Sequence, residues 1–285
     1  VQTPELYGGY RPTGSYQGKT GAYLGSAMSI SGAAASPLCG YHTSPALAAL
    51  MTIFNVRLGQ WLGNPANTKE AWRLSSPTIG GFYLLKELTA TADAKSSFLY
   101  LSDDGHFENL GIYELARRHC RLIVAADAGC DASYGFDDLA NVIRKCSIDL
   151  GAEIDIKIGD LRPKDGCTRT KTHHAAGVIH YADGSKGVLV YVKASLTGDE
   201  DPDILNYATL HKKFPHDTTA DQWFDEDQFE SYRKLGEHIG DGLFPAVRSA
   251  LESAQNVFDA DAFLAQLGVM TSAAQKESGA SSDMP

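Results

Sequence analysis

The sequence predicts an α/β protein, a mainly parallel sheet flanked by helices, and three stretches carry that prediction. Ser97-Phe-Leu-Tyr-Leu101 and Arg121-Leu-Ile-Val-Ala-Ala126 are apolar runs of strand length, and Gly111 to His119 between them has the pattern of a helix. Strand, polar loop, helix, strand is a βαβ unit, the building block of parallel sheets covered by helices. In such sheets function gathers at the carboxyl ends of strands, which is where Asp103 and Asp127 fall.

The remaining elements follow in order. Val1 to Gly25 is rich in Gly, Tyr and Thr and reads as irregular. The small-residue segment Ala27 to Ser36, ended by Pro37, suits close backbone approach. Leu47, Leu50, Met51, Phe54, Leu58 and Trp61 have helical spacing and predict a core helix from Pro45 to about Leu62. Phe82 to Leu88 reads as a shorter helix. Phe136 to Leu150 reads as another, with Asp137 or Asp138 as N-cap. Glu153 to Ile158 alternates as a strand, and His174 to Tyr181 pairs with Gly187 to Lys193 as a hairpin around Asp183-Gly184. Asp199 to Phe229 is acidic and aromatic and predicts a surface excursion. Helical periodicity returns in Phe229 to His238 and from Leu243 to Leu267, before a Ser/Ala/Gly-rich tail from about Thr271 that reads as disordered.

Charge and cysteine usage narrow the function classes. A formal charge of -10, with scattered basic residues, argues against a nucleic-acid partner, which needs clustered Lys and Arg. Contact with a membrane surface would have to be hydrophobic or transient, because an acidic surface gains nothing from anionic headgroups. Cys39, Cys120, Cys130, Cys146 and Cys167 form no C-x-x-C pair, so neither a disulfide framework nor a structural zinc site is expected. No apolar run approaches the roughly 18 residues of a spanning helix. The expected location is therefore the cytoplasm or the periphery of a membrane, with anchoring by an upstream segment left open.

The residues that carry chemistry are Asp103-Asp104-Gly105-His106-Phe107-Glu108-Asn109. A carboxylate just after a buried strand is held firmly yet faces a cleft. Gly105 lets the chain turn without a side chain in the way, and Asn109 caps the next helix or ties the loop to itself. On the residues alone, Asp103 is equally well read as a helix cap.

Tyr100-Leu-Ser-Asp-Asp-Gly-His-Phe-Glu-Asn-Leu-Gly111 resembles the second catalytic block of the patatin-like and cytosolic phospholipases, an Asp-Gly-Gly or Asp-x-Gly loop that ends a strand. Arg117 to Gly129, Phe136 to Leu150, Phe214 to Thr218, Asp221 to Phe224 and Gln228 to Arg233 resemble large bacterial members of the same family. The resemblance implies a patatin-like fold, incomplete at its amino terminus, with residues 1–268 as the carboxy-terminal part of the catalytic domain and 269–285 as a tail. It implies a lipid acyl hydrolase that uses a Ser/Asp dyad and no cofactor or metal, with a lipid ester as substrate. Asp103 would be the general base and Asp104, Gly105 and Asn109 its active-site loop, Asp104 standing where the family commonly has Gly.

The family's nucleophile sits in a Gly-x-Ser-x-Gly elbow after a Gly-rich oxyanion loop. Neither occurs here. The nearest approach is Ser29-Ile-Ser31-Gly-Ala33, with both framing glycines replaced. Either Ser31 is a degenerate nucleophile, or the nucleophile lies upstream of Val1; the second is the expectation, because the segment fits the family's region between its two catalytic blocks. Two other constellations are set aside. His173-His174 could be a metal pair, but neighbours on a strand face opposite ways. Asp104-x-His106 fits a two-metal phosphoesterase, yet the further ligands that chemistry needs are missing. Asp127 reads as a structural strand-end residue, and a non-catalytic module on the same fold remains the alternative to an enzyme.

Overall fold

The computed structural model describes residues 11–18, 21–33, 36, 44–56, 58–67, 70–93, 95–103, 105, 107–164, 168–218, 221, 223–253 and 259–267. The predicted tail, Asp104 and His106 lie outside them. The chain divides into two compact units, Val1–Asn109 and Leu110–Pro285.

In the first unit, α1 (Leu24–Ser31), α2 (Pro45–Ile53) and α3 (Gly80–Leu88) accompany two short strands, β1 (Gln60–Gly63) and β2 (Phe98–Leu101). The strands pair antiparallel, Trp61 opposite Tyr100 and Gly63 opposite Phe98. Trp61, Ala71 and Phe98 form a small core against Tyr83 and Tyr100, with the Trp61 and Tyr83 ring centroids 4.8 Å apart. Gly63 is obligatory there, because a Cβ would stand 2.1 Å from the Ala71 carbonyl oxygen. The helix predicted to reach Leu62 stops at Ile53. Phe54 caps it and Asn55 takes a left-handed φ of 55°, a common helix stop, which turns the chain so that Trp61 enters a strand. The stripe predicted for the core is largely exposed: Ala48 and Thr52 are the buried residues of α2, whereas Leu47, Leu50 and Ile53 are more than half exposed.

The second unit contains α4 (Ile112–Arg117), β3 (Leu122–Asp127), α5 (Asp137–Leu150), β4 (Glu153–Ile156), β5 (His174–His180), β6 (Lys186–Lys193), α6 (Pro202–Leu210), α7 (Glu226–Ser253) and α8 (Ala260–Gln266). Its sheet has the order β3-β6-β5-β4. The expected parallel character is confined to β3 and β6, where Leu122 pairs with Val188 and Asp127 with Lys193. The β5–β6 and β4–β5 pairs are antiparallel, so the sheet is mixed. The βαβ reading of residues 97–126 is corrected on the same ground, since β2 belongs to the other unit's ribbon and never pairs with β3.

The α/β class itself holds. Gly187-Val-Leu-Val-Tyr-Val192 is apolar throughout because β6 is covered on both faces. Val188 and Val190, with Ala176 and Val178 of β5, pack under Leu243 and Val247 of α7 and Phe263 and Leu264 of α8. Leu189 and Tyr191 point the other way and are also fully buried. On that side Phe136, preceding α5, places its ring 6.2 Å from Tyr191. The predicted hairpin is present, with Gly184 at φ 84° and the Asp183 carboxylate accepting from the Ser185 amide at 2.9 Å.

Other expectations shift. β3 is an edge strand with Val124 40% exposed, rather than a buried one. The N-cap of α5 is Phe136, whose amide, with that of Gly135, donates to the Asp131 carboxylate; Asp137 and Asp138 fall in the first turn, favourable to the helix dipole. The stretch read as a surface excursion holds α6, and Ile204 and Phe214 bury themselves with Leu235 and Ile239. The two C-terminal helical stretches regroup, because α7 runs on through Pro245 and α8 starts anew, capped by the Asp259 carboxylate.

Candidate functional site

The predicted loop begins two residues after β2. The Asp103 Oδ1 accepts the Gly105 amide at 2.8 Å, closing a tight Asx turn. Asp103 is partly buried and Gly105 exposed. A Cβ on Gly105 would stand 2.4 Å from the Asn109 Oδ1 and 3.2 Å from the Asp103 Oδ1, so Asn109 folds back over the turn. Three of the four residues predicted for the loop, Asp103, Gly105 and Asn109, therefore do come together. The second carboxylate oxygen of Asp103 takes no hydrogen bond from the described residues.

Ser31 is near in one respect only. The Asp103 amide donates to the Ala33 carbonyl at 3.4 Å, which ties the loop to the segment just after α1. Ser31 itself is the last residue of α1, is exposed, and shares no hydrogen bond with Asp103. The amides that follow it are spent within the helix end, Gly32 on Met28 and Ala33 on Ile30. A helix carboxyl terminus also carries the negative end of the dipole, the wrong sign for a developing oxyanion.

Asp127 is used completely. Its Oδ1 accepts the Gly129 amide at 2.8 Å. Its Oδ2 lies 3.0 Å from the Lys193 ammonium and accepts a short hydrogen bond from the Tyr191 hydroxyl. Lys193 also donates to the Gly129 carbonyl at 3.2 Å. Burial, with the Asp127 carboxylate beside it, pushes the Tyr191 phenol far above its ordinary range. The group locks the strand ends of β3 and β6, in keeping with a structural reading of Asp127.

Two hollows lie within the second unit. One, of about 240 Å³, is apolar and lies between β3, β6 and α7, with Val124, Val192, Leu235, Ile239 and Phe244 in its wall. The other, of about 500 Å³, is rimmed by Arg169, Lys212 and Lys213. It is backed by His216, a buried ring beside the Gly129 carbonyl whose nitrogens have no hydrogen-bond partner of normal geometry among the described residues.

The group that sequence reasoning missed is His173, Asp199, Glu200 and His238, with a ligating atom from each within 4.8 Å of the others. His173 was weighed only with His174, which instead begins β5 and takes no part. The partners come from the loop after β6 and from α7, and no spacing in the sequence announces them. Comparison with family models, curated proteins and solved structures found no match for this chain.

Proposed function

We propose that this chain is the base-bearing part of a serine acyl hydrolase of the patatin type that acts on a lipid ester. The observation that carries the reading is the state of the Asp103 carboxylate: one oxygen is pinned by the Gly105 amide, and the other takes no hydrogen bond from the described residues. A base of a Ser/Asp dyad needs that combination, a fixed direction and a lone pair available to the serine proton. Asp103 takes that proton as the hydroxyl attacks the ester carbonyl, and an acyl-enzyme forms. The same carboxyl then serves the water that cleaves it. Gly105 and Asn109 hold the turn in shape. Ser31 is poorly placed for nucleophilic attack, so the reading assigns that role to a serine outside these 285 residues.

The test uses the full-length protein and a short-chain ester. Asp103→Asn should lower turnover by about 10²–10⁴-fold, the usual worth of a positioned base, with an unchanged melting temperature. A fluorophosphonate probe should label a serine other than Ser31, and Ser31→Ala should keep both labelling and turnover. Full activity in Asp103→Asn would overturn the assignment. Absence of any labelled serine would favour a non-catalytic module.

A further inference from the structure

We propose that His173, Glu200, His238 and Asp199 form a binding site for one divalent transition-metal ion of the zinc class. Three separate parts of the second unit meet there: the residue before β5, the loop after β6, and the middle of α7. His173 Nε2 lies 3.8 Å from Glu200 Oε1, and His238 Nε2 lies 3.5 Å from Asp199 Oδ1. In a tetrahedral zinc site, with bonds of roughly 2.0–2.1 Å, ligand atoms stand about 3.3–3.4 Å apart. The closer pairs are nearly at that spacing, and the widest, at 4.8 Å, needs a movement within reach of side-chain rotation.

The surroundings are those of a held ligand set. Glu200, fully buried at its side chain, accepts the Thr197 amide at 2.6 Å on Oε1 and the Gly198 amide at 2.8 Å on Oε2. Oε2 keeps a further lone pair for a metal, and Oε1, which also lies 3.2 Å from the Thr197 hydroxyl, gains one when that hydroxyl turns to Asp199. His173 places Nδ1 3.3 Å from the Ser195 hydroxyl, which is itself fully buried. With Nδ1–H donated to that oxygen, Nε2 presents its lone pair to the centre. That is the outer-shell arrangement that orients ligating imidazoles. The Thr197 hydroxyl lies 3.1 Å from Nε2 and within reach of the Asp199 and Glu200 carboxylates; its single proton serves one of them at a time, and metal entry at Nε2 leaves it to a carboxylate. Asp199, 77% exposed at its side chain, forms the open mouth.

Charge points the same way. Among the described residues neither carboxylate is ion-paired with a lysine or arginine; the groups that face them at ion-pair distance are the two imidazoles, which carry charge only when protonated. Arg169 rests against the Gly198 backbone without bridging to either. Two imidazole nitrogens with two carboxylate oxygens form a donor set for zinc, or for iron, cobalt or manganese, rather than for calcium or magnesium, which favour oxygen alone. A bound ion would staple α7 to the end of the sheet where β5 begins.

The experiment takes the whole chain, stripped with a chelator and dialysed, and titrates it with Zn²⁺ alone by calorimetry. One equivalent should bind and the melting temperature should rise. His238→Ala and Asp199→Asn, both changes at accessible side chains, should each weaken binding by about 10-fold or more. His180→Ala, an exposed histidine outside the cluster, should leave binding unchanged. Co²⁺ added to the unmutated chain should develop the visible absorption of a tetrahedral nitrogen–oxygen site, a readout that requires no variant to fold. Absence of a stoichiometric site, or equal affinity in His238→Ala and the unmutated chain, would overturn the proposal.

Discussion

The Lys193 ammonium lies 3.0 Å from the Asp127 carboxylate, and each side chain is at most 5% exposed. They sit opposite each other on the parallel pair β3–β6, at the last residues of both strands. A buried charge pair is not in itself a stabilising device, since two desolvation costs stand against the attraction. Here the Asp127 carboxylate also accepts from the Tyr191 hydroxyl and the Gly129 amide, and the Lys193 ammonium also donates to the Gly129 carbonyl, so each ion has partners beyond the other.

Lys193→Met keeps the length of the side chain and removes its charge, leaving the Asp127 carboxylate buried without its cation. The expected loss is about 3–5 kcal/mol of folding stability. Lys193→Met combined with Asp127→Asn should recover part of it. Urea denaturation of the three variants measures both quantities, and a loss below about 1 kcal/mol in the single variant would show that water reaches the pair.

Gly177 and Gly184 test two different reasons for glycine. A Cβ on Gly177 would stand 2.3 Å from the Asp155 carbonyl oxygen, in backbone that cannot swing aside without breaking the β4–β5 ladder. Gly177→Ala should therefore cost about 1–3 kcal/mol or more, and should weaken β4 first. Gly184 has open space around it and a φ of 84°, so Gly184→Ala meets backbone strain alone, roughly 1–2 kcal/mol. Hydrogen exchange at the β4 amides that bond to β5 separates the two, rising in the first variant and not in the second.

Stability should fall on mild acidification. Burial pulls His173, His174 and His216 below the ordinary imidazole pKa. The unfolded chain takes up these protons near pH 6.5 while the folded chain resists them, so the unfolded state binds more protons and stability rises with pH through that window. Melting temperatures in chelator-containing buffer should drop between about pH 7 and 5.5, levelling only where the folded imidazoles themselves titrate. His216→Phe removes two buried nitrogens that have no hydrogen-bond partner of normal geometry among the described residues, and should flatten the slope with little loss of stability near neutrality. An unchanged slope in that variant would place the titration at His173 and His174.

Much of the second unit was readable from local pattern. β6 reads as an unbroken apolar run because it is covered on both faces, and the Asp183-Gly184 turn names the hairpin that sets the β5–β6 register. The Asp103 loop was also legible, since an Asx turn needs only residues close in sequence; the structure added that Asn109 fills the space a Gly105 side chain would need. The first unit was less readable. The helical spacing from Leu47 to Trp61 continues across a break at Asn55, and periodicity carries no record of a single left-handed residue.

Pairing and convergence were decided by the tertiary structure alone. A short apolar strand such as β2 states that it will be paired and not with what, and it chose β1 over β3. The same limit hid His173, Asp199, Glu200 and His238, which three distant segments bring together. Residue type and spacing record what a segment does over one or two turns. Partner choice depends on which surfaces the folded chain presents to one another, and that is settled only when the long-range contacts form.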